Sequence, residues 1–205
     1  MPGFWPNKEV PEAIRNLRLC GALAHCASTK VEDAFEQSND ENLYVYDDEK
    51  LHHSTWVNEL PDFLSKTFHA QNPNGRTLVL LPLDGLIFRG RDIIEGGICD
   101  CALLTDKEMS FVEFKTNVTS LYEVTIHAHA QKAVGQLWHT YQGIIQEKCQ
   151  KVGIAVAEKV SVDFYVVFDT HLSVTGVQAS LLDMQTDFLM RKHYPLYFQN
   201  EKQFK

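Results

Sequence analysis

The segment that most constrains the fold is residues 96–117, which read GGICDCALLTDKEMSFVEFKTN. Two apolar stretches separated by a polar turn predict a β-hairpin. If its strands pair symmetrically about Asp106 and Lys107, Asp100 lies directly opposite Glu113. Two carboxylates facing each other repel and destabilise a sheet. A divalent cation between them would turn that repulsion into a binding site, since hard cations prefer oxygen ligands.

Length and charge narrow the class of protein. The chain has 205 residues, of which 44% are hydrophobic and 22% charged, and this composition is typical of one folded domain with a sizeable core. Its net charge of −8 excludes a uniformly basic surface, and this matters because proteins bind phosphate backbones mainly through Lys and Arg. A local basic groove is still compatible with the sequence, with contributions from Lys115, Lys132, Arg89 and Arg91. No apolar run reaches membrane-spanning length, so we expect no membrane association.

The five cysteines predict reduced thiols rather than disulfides. Their number is odd, and no two of them form a CxxC pair. Because side chains alternate along a strand, Cys99 and Cys101 are expected to share one face. Buried thiols are the favoured interpretation, and a zinc or iron–sulfur site is the alternative. Reduced cysteines are consistent with a cytoplasmic protein, which is the location we predict.

The pattern of apolar residues predicts an α/β fold, with a mixed central sheet flanked by helices. The predicted helices are 9–37, 55–69, 126–151 and 177–192. The predicted strands are 43–46, 77–83, 86–88, 98–104, 110–116 and 160–168. We expect one domain overall, in which an N-terminal helical and acidic segment (1–54) packs on a core (55–170), followed by a C-terminal helix and tail (171–205).

The acids of the hairpin have two interpretations. Strand alternation puts Glu113 and Lys115 on one face, and Asp100 lies in line with the apolar Ala102. On the first interpretation this is the solvated face of an antiparallel sheet, with Asp100 paired to Lys115. On the second it is a functional site, because a charge among apolar residues is costly unless it is paired or bound to metal. The facing position of Asp100 favours the second.

The hairpin also carries a family resemblance. Gly97-x-x-Asp100, followed by the run Val112-Glu113-Phe114-Lys115-Thr116, resembles the signature of the PD-(D/E)XK phosphodiesterases, which include restriction-endonuclease-like and RecB-like nucleases. The resemblance covers about residues 55–170 and implies a restriction-endonuclease-like αβββαβ core. It also implies a metal-dependent nuclease. Cys99 precedes Asp100 where the family name has a proline.

The resemblance implies roles for individual residues. Asp100 and Glu113 would bind Mg²⁺ or Mn²⁺, with the backbone carbonyl of Phe114 as a third oxygen ligand. Lys115 would orient the attacking water or help to deprotonate it. These roles agree with the chemistry of hard cations, which lower the pKa of bound water and stabilise charge on a phosphoryl group.

Further candidate site residues come from the resemblance or from their position in the sequence. RecB-like members carry a Gln on the following helix and a Tyr about one turn later, and Gln136 and Tyr141 are similar, although one residue further apart than expected. Gln131 is a second match, and a solvent-facing Gln136 is the alternative. Glu59, on the helix predicted before the first strand, is an additional candidate metal ligand. Asp84 is predicted to be a turn residue before Gly85, with a third acid near the site as the alternative.

The expected substrate is nucleic acid, DNA in preference to RNA, with a protein partner as a source of additional substrate grip. Two other functions remain open from sequence. One is a catalytically silent protein of the same fold that serves as a binding or assembly module. The other is an acidic interaction protein in which the Glu-x-Lys pattern is coincidental.

Overall fold

The computed structural model describes residues 9–89, 96–119, 122–172 and 178–205, and these residues form a mixed α/β fold. The strands are β1 Glu36–Ser38, β2 Asn42–Asp48, β3 His53–Val57, β4 Phe68–Gln71, β5 Leu78–Pro82, β6 Cys101–Leu104, β7 Glu108–Lys115, β8 Ser161–Phe168, β9 Leu196–Tyr197 and β10 Glu201–Gln203. The helices are α1 Glu12–Asn16, α2 Leu19–Leu23, α3 Val31–Ala34, α4 Glu123–Trp138, α5 Glu147–Lys151, α6 Val156–Lys159 and α7 Gln178–Lys192. A π-helical segment, His139–Gln146, joins α4 to α5.

Two mixed sheets organise the molecule. The larger has the order β1-β5-β6-β7-β8-β9, and the smaller has the order β10-β4-β2-β3. In the larger sheet β5, β6 and β7 are antiparallel neighbours, whereas β8 is parallel to β7. That parallel pair is connected through α4 and α5, as a crossover between parallel strands requires. The carboxyl ends of β5, β7 and β8 therefore lie at one end of the sheet.

The predicted hairpin register is confirmed. Cys101 pairs with Val112, and Leu104 pairs with Met109. Both pairs are symmetric about Asp106 and Lys107, as the sequence predicts. The register follows from the turn and from strand alternation, because a shift by one residue would move every apolar side chain to the other face.

The larger sheet is covered on both faces. On one face, side chains such as Leu81, Phe111 and Phe164 pack against the helices. On the other face, Leu80 and Val112 belong to a second cluster formed with the smaller sheet. Burial on both faces explains why β5 is a continuous apolar run, since strands covered on both sides have no polar side.

The largest error of the sequence prediction is the helix at 55–69. Residues 53–57 are instead strand β3, residues 64–66 form a single 3₁₀ turn, and residues 68–71 are strand β4. Apolar residues at helical spacing produced the prediction. In the structure Leu60 is 68% exposed, so these residues do not form one buried helical face.

The N-terminal helix is also shorter than predicted. Residues 9–37 contain α1, α2, α3 and most of β1 rather than one helix. Arg18, between α1 and α2, has a left-handed backbone with φ of 52°, which interrupts a right-handed helix.

Most of the other predicted elements are present, although the strand predicted at 98–104 begins only at Cys101. The strand predicted at 43–46 lies within β2, and the helix predicted at 126–151 corresponds to α4, the π-helical segment and α5. The helix predicted at 177–192 is α7, and residue 177 lies outside the described residues. Residues 86–88 are not a strand and form only an isolated bridge between Asp84 and Phe88. In the described ranges, no helix has both the length and the apolar character that crossing a membrane requires.

Candidate metal centre

Asp100 and Glu113 meet at the end of the larger sheet where β5 and β7 finish. Asp100 lies in the bend just before β6, and its Oδ2 atom accepts a hydrogen bond of 2.5 Å from the backbone N–H of Phe114. Its backbone carbonyl accepts hydrogen bonds from the N–H groups of Leu83 and Asp84, at 2.9 and 3.2 Å. The bend is therefore held by both neighbouring strands, and Asp100 lies close enough to Glu113 for the charge of Glu113 to act on it.

The structure contradicts the solvated-face interpretation of the hairpin. The Glu113 side chain is only 2% exposed, and its Oε1 atom forms an ion pair with the Lys115 ammonium, so Lys115 is paired with Glu113 and not with Asp100. The second oxygen, Oε2, is buried and has no hydrogen-bond partner. A buried carboxylate oxygen without a partner is costly, and such exceptions mark sites where an ion or water is missing.

The environment raises the pKa of both acids. Burial is the main cause for Asp100, and the neighbouring Glu113 charge adds to it, so the pKa of Asp100 lies well above its usual range. Burial also raises the pKa of Glu113 to about 7, although the Lys115 charge opposes this shift. Two neighbouring carboxylates with raised pKa values are typical of functional sites, because burial and mutual repulsion both oppose their ionisation.

Two further acids join this pair. The charge of Asp84 contributes to the raised pKa of Glu113, and the charge of Asp47 contributes to that of Asp100. Burial raises the pKa values of Asp84 and Asp47 as well. An open cavity of about 430 Å³ lies beside them; its lining residues are Asp47, Asp48, Glu49, His52, Asp84 and Asp100. We call these four acids, Asp47, Asp84, Asp100 and Glu113, the acid cluster.

Asp47 is the member that sequence reasoning missed. It belongs to β2 of the smaller sheet, far from the signature in sequence, and the hairpin formed by β2 and β3 brings it to the site. The tip of this hairpin packs against the turn after β5. A Cβ atom at Gly85, whose φ is 75°, would lie 1.8 Å from the backbone carbonyl oxygen of His52. Only glycine permits this approach, so the turn interpretation of Asp84-Gly85 holds together with the third-acid interpretation.

Gln136 reaches the site from α4. Its Oε1 atom accepts a hydrogen bond of 3.2 Å from the Lys115 ammonium, and its Nε2 group donates one of 3.1 Å to the carbonyl of Ile98. Both ends of the amide are used, which contradicts a solvent-facing role. Gly97 makes the approach feasible, because a Cβ atom there would lie 2.9 Å from Cγ of Gln136. Gln131, the alternative match, is exposed.

Glu59 is not brought to the acid cluster. It is exposed in a bend beyond the end of β3. Asp47 pairs with Ser54, so Glu59 lies five residues further along the chain from the pair that faces the site. At about 3.4 Å per strand residue this is roughly 17 Å. The prediction placed Glu59 on a helix, whereas the chain forms strand β3 followed by a bend.

Contacts within the protein engage two of the four cations that were expected to form a basic groove. Lys115 is ion-paired with Glu113, and the Nε group of Arg89 donates to the carbonyl of Gly85. Lys132 is exposed on α4, and Arg91 lies outside the described residues.

The cysteines are free thiols, and three of them are buried: Cys99, Cys101 and Cys149. The prediction that Cys99 and Cys101 share a face is wrong. Cys99 packs with the helix-side core and Cys101 with the core between the sheets. The bend at Asp100 breaks the strand alternation between them, which also removes the basis for a shared zinc or iron–sulfur site.

Over the described ranges, no three His, Cys, Asp or Glu side chains are already arranged to hold a metal ion. The contacts explain why: Lys115 occupies one oxygen of Glu113, and the Phe114 N–H group occupies one oxygen of Asp100. Comparison with protein-family models, with curated proteins and with solved structures found no match to this chain.

Proposed function

We propose that this protein is a metal-dependent nuclease with a restriction-endonuclease-like core. The element order β5-β6-β7-α4-β8 agrees with the αβββαβ arrangement in all but its leading helix. The observation that carries the proposal is the placement of Asp100, whose side chain accepts a hydrogen bond from the Phe114 N–H group, beside the buried Glu113 and its ion-paired Lys115.

The donor set suits Mg²⁺ or Mn²⁺. Asp100 and Glu113 supply carboxylate oxygens, which hard cations prefer. The backbone carbonyl of Phe114 is a third candidate. In a strand, the N–H and C=O groups of one residue are directed toward the same neighbour, and the Phe114 N–H group is directed toward Asp100. The excess of carboxylates over ammonium groups in the acid cluster is the strongest sign that a cation belongs here.

The residues of the chain have separable tasks. A bound cation would supply a water of lowered pKa and positive charge beside the phosphate. Lys115, already held by Glu113 and Gln136, would donate hydrogen bonds to the attacking water or to a phosphate oxygen. Gln136 would keep the Lys115 ammonium aimed at the site.

The acid cluster sets a condition on substrate binding. Without a cation, four carboxylates would repel a phosphodiester, and the chain carries a net charge of −8. Cation binding therefore has to precede or accompany the binding of nucleic acid. We expect a protein partner to contribute to substrate grip, and the preference for DNA and the cytoplasmic location stay predictions.

A catalytically silent binding module is the second candidate, and one observation favours it. The ion pair between Lys115 and Glu113 uses both groups that the reaction needs. If that ion pair is permanent, the fold is retained while the chemistry is lost.

The deciding experiment incubates the protein with single-stranded and double-stranded DNA and RNA in Mg²⁺ or Mn²⁺. We expect cleavage that EDTA abolishes. Asp100→Asn and Glu113→Gln should remove it, and Lys115→Met should lower the rate by about 10²- to 10⁴-fold, the usual contribution of a proton-transfer group. Asp183→Asn, at an exposed acid of α7, is the matched control and should cleave like the wild type.

Two results would contradict the nuclease proposal. Tight Mn²⁺ binding without cleavage of any substrate would favour the silent module. Neither binding nor cleavage would make the Glu-x-Lys pattern coincidental.

A further inference from the structure

Strand β6 does not by itself fix the position of Asp100, which lies just before it. The preceding residues Gly96 and Gly97 have φ values of 122° and 77°, and glycine does not restrict the backbone by itself. Asp100 lies before the first residue of β6, so ladder hydrogen bonds do not fix the approach to it. The neighbouring strands hold Asp100 itself, and contacts from the helix that crosses behind the hairpin hold the residues before it.

Thr140 makes the most direct of these contacts. Its hydroxyl oxygen accepts a hydrogen bond of 2.8 Å from the backbone N–H of Cys99, the residue before Asp100. The same hydroxyl donates a hydrogen bond of 2.8 Å to the carbonyl of Gln136. Thr140 is fully buried, so water does not compete for either bond. One threonine therefore connects the approach to Asp100 with the helical turn that carries Gln136.

Thr140 lies one helical turn after Gln136, near the start of the π-helical segment His139–Gln146. Tyr141, which the resemblance pairs with Gln136, is directed into the aromatic core, where its hydroxyl group lies 2.9 Å from that of Tyr194. The residue that faces the hairpin one turn after Gln136 is Thr140.

Ordinary helix chemistry accounts for only half of this arrangement. A threonine inside a helix commonly bonds the carbonyl four residues earlier, and Thr186 in α7 does so with Leu182 at 2.9 Å. That habit explains the bond from Thr140 to Gln136. It does not explain the bond from Cys99, which connects residues 41 positions apart.

We propose that Thr140 is a positioning residue, which holds the Cys99–Asp100 backbone so that the Asp100 carboxylate stays at the cation site. This inference rests on the proposed function, because it assumes that Asp100 binds the metal. It adds a residue outside the family signature.

The test compares Mn²⁺ binding, measured by calorimetry, among the wild type and matched variants. Thr140→Val retains the side-chain shape but removes both hydrogen bonds, and we expect its Kd for Mn²⁺ to rise by about 10- to 100-fold, the usual effect of removing a residue that orients a ligand. Thr140→Ser retains the hydroxyl group and should restore binding to near the wild-type value. Thr186→Val removes a helical threonine hydroxyl elsewhere and should leave the Kd unchanged. Rescue by serine is a result that a purely structural role would not produce.

The outcomes separate this inference from the proposed function. If the wild type and Thr140→Val bind Mn²⁺ equally while Asp100→Asn does not bind, the inference is wrong and the metal site stands. If the wild type does not bind Mn²⁺, the metal site and the inference both fail. Should Thr140→Val not fold, Thr140→Cys, whose thiol is a weak acceptor, replaces it, and wild-type affinity in that variant would overturn the inference.

Discussion

The two ends of the larger sheet carry ionic clusters that differ in charge balance. At one end, the buried Lys202 ammonium bonds Ser110 Oγ at 2.9 Å and Asp163 Oδ2 at 2.6 Å, and it lies 3.3 Å from Glu108 Oε1. At the other end, the acid cluster gathers four carboxylates around the Lys115 ammonium. The ratio of carboxylates to ammonium groups is two to one at the Lys202 end and four to one at the acid cluster.

An unpartnered oxygen does not distinguish the two ends, because Asp163 Oδ1 is buried without a partner just as Glu113 Oε2 is. Charge balance does distinguish them. The Lys202 cluster is nearly compensated within the protein, as a structural ion-pair network should be. The acid cluster has excess negative charge that a cation would compensate, which is a property of functional sites.

The largest expected effect is at the Lys202 end. Lys202→Met leaves the half-buried Glu108 and Asp163 without their buried cation, and breaking a pair of this kind costs up to about 3 to 5 kcal/mol. Urea unfolding measures this loss. Lys159→Met, at an exposed lysine, is the control and should change the free energy of unfolding by less than about 0.5 kcal/mol. Equal effects of the two substitutions would show that the Lys202 cluster is not structural.

Replacing an aspartate by asparagine at each end of the sheet should have a smaller effect on the free energy of unfolding. The effect should have opposite signs at the two ends. Asp100→Asn retains an acceptor for the Phe114 N–H group and removes one crowded charge, so it should stabilise the metal-free protein by about 1 to 2 kcal/mol. Asp163→Asn removes a charged partner of Lys202 and should destabilise by about 1 to 3 kcal/mol. Thermal unfolding in EDTA gives both signs. Destabilisation by Asp100→Asn would place the acid cluster among structural networks.

Per pH unit, the smallest effect is the dependence of stability on pH. The pKa of Glu113 is raised from 4.5 to about 7, so between these values the folded state binds more protons than the unfolded state. Stability is therefore full below pH 4.5 with respect to this group and is lost as the pH rises through 7. We expect a slope of at most about 1.4 kcal/mol per pH unit in EDTA. Urea titrations at several pH values measure it, and Glu113→Gln should flatten the slope. An unchanged slope in that variant would contradict the pKa shift.

Local sequence was sufficient to predict the centre of this site. The register of the hairpin, and with it the meeting of Asp100 and Glu113, follows from a short turn and strand alternation. Gln136 was also predicted, although its contact with Lys115 depends on how α4 crosses the sheet. Asp47 could not be predicted in the same way, because its position depends on packing between two sheets.

The errors of the sequence prediction also come from contacts between separate parts of the chain. Residues 55–69 show helical spacing of apolar side chains, but pairing with β2 makes residues 53–57 a strand. Tertiary contacts overrode the local pattern, as they commonly do for short segments. The Glu59 prediction failed with the helix on which it depended.

The close contact between Gly85 and His52 has a consequence for motion. The turn that carries Asp84 and the tip of the hairpin that carries Asp47 touch through backbone atoms, with no room for a side chain between them. A flip of one rotamer cannot widen the cavity along this seam. Separating the two segments requires the hairpin to move as a whole, and such collective movement belongs to the microsecond-to-millisecond scale rather than to fast side-chain fluctuations.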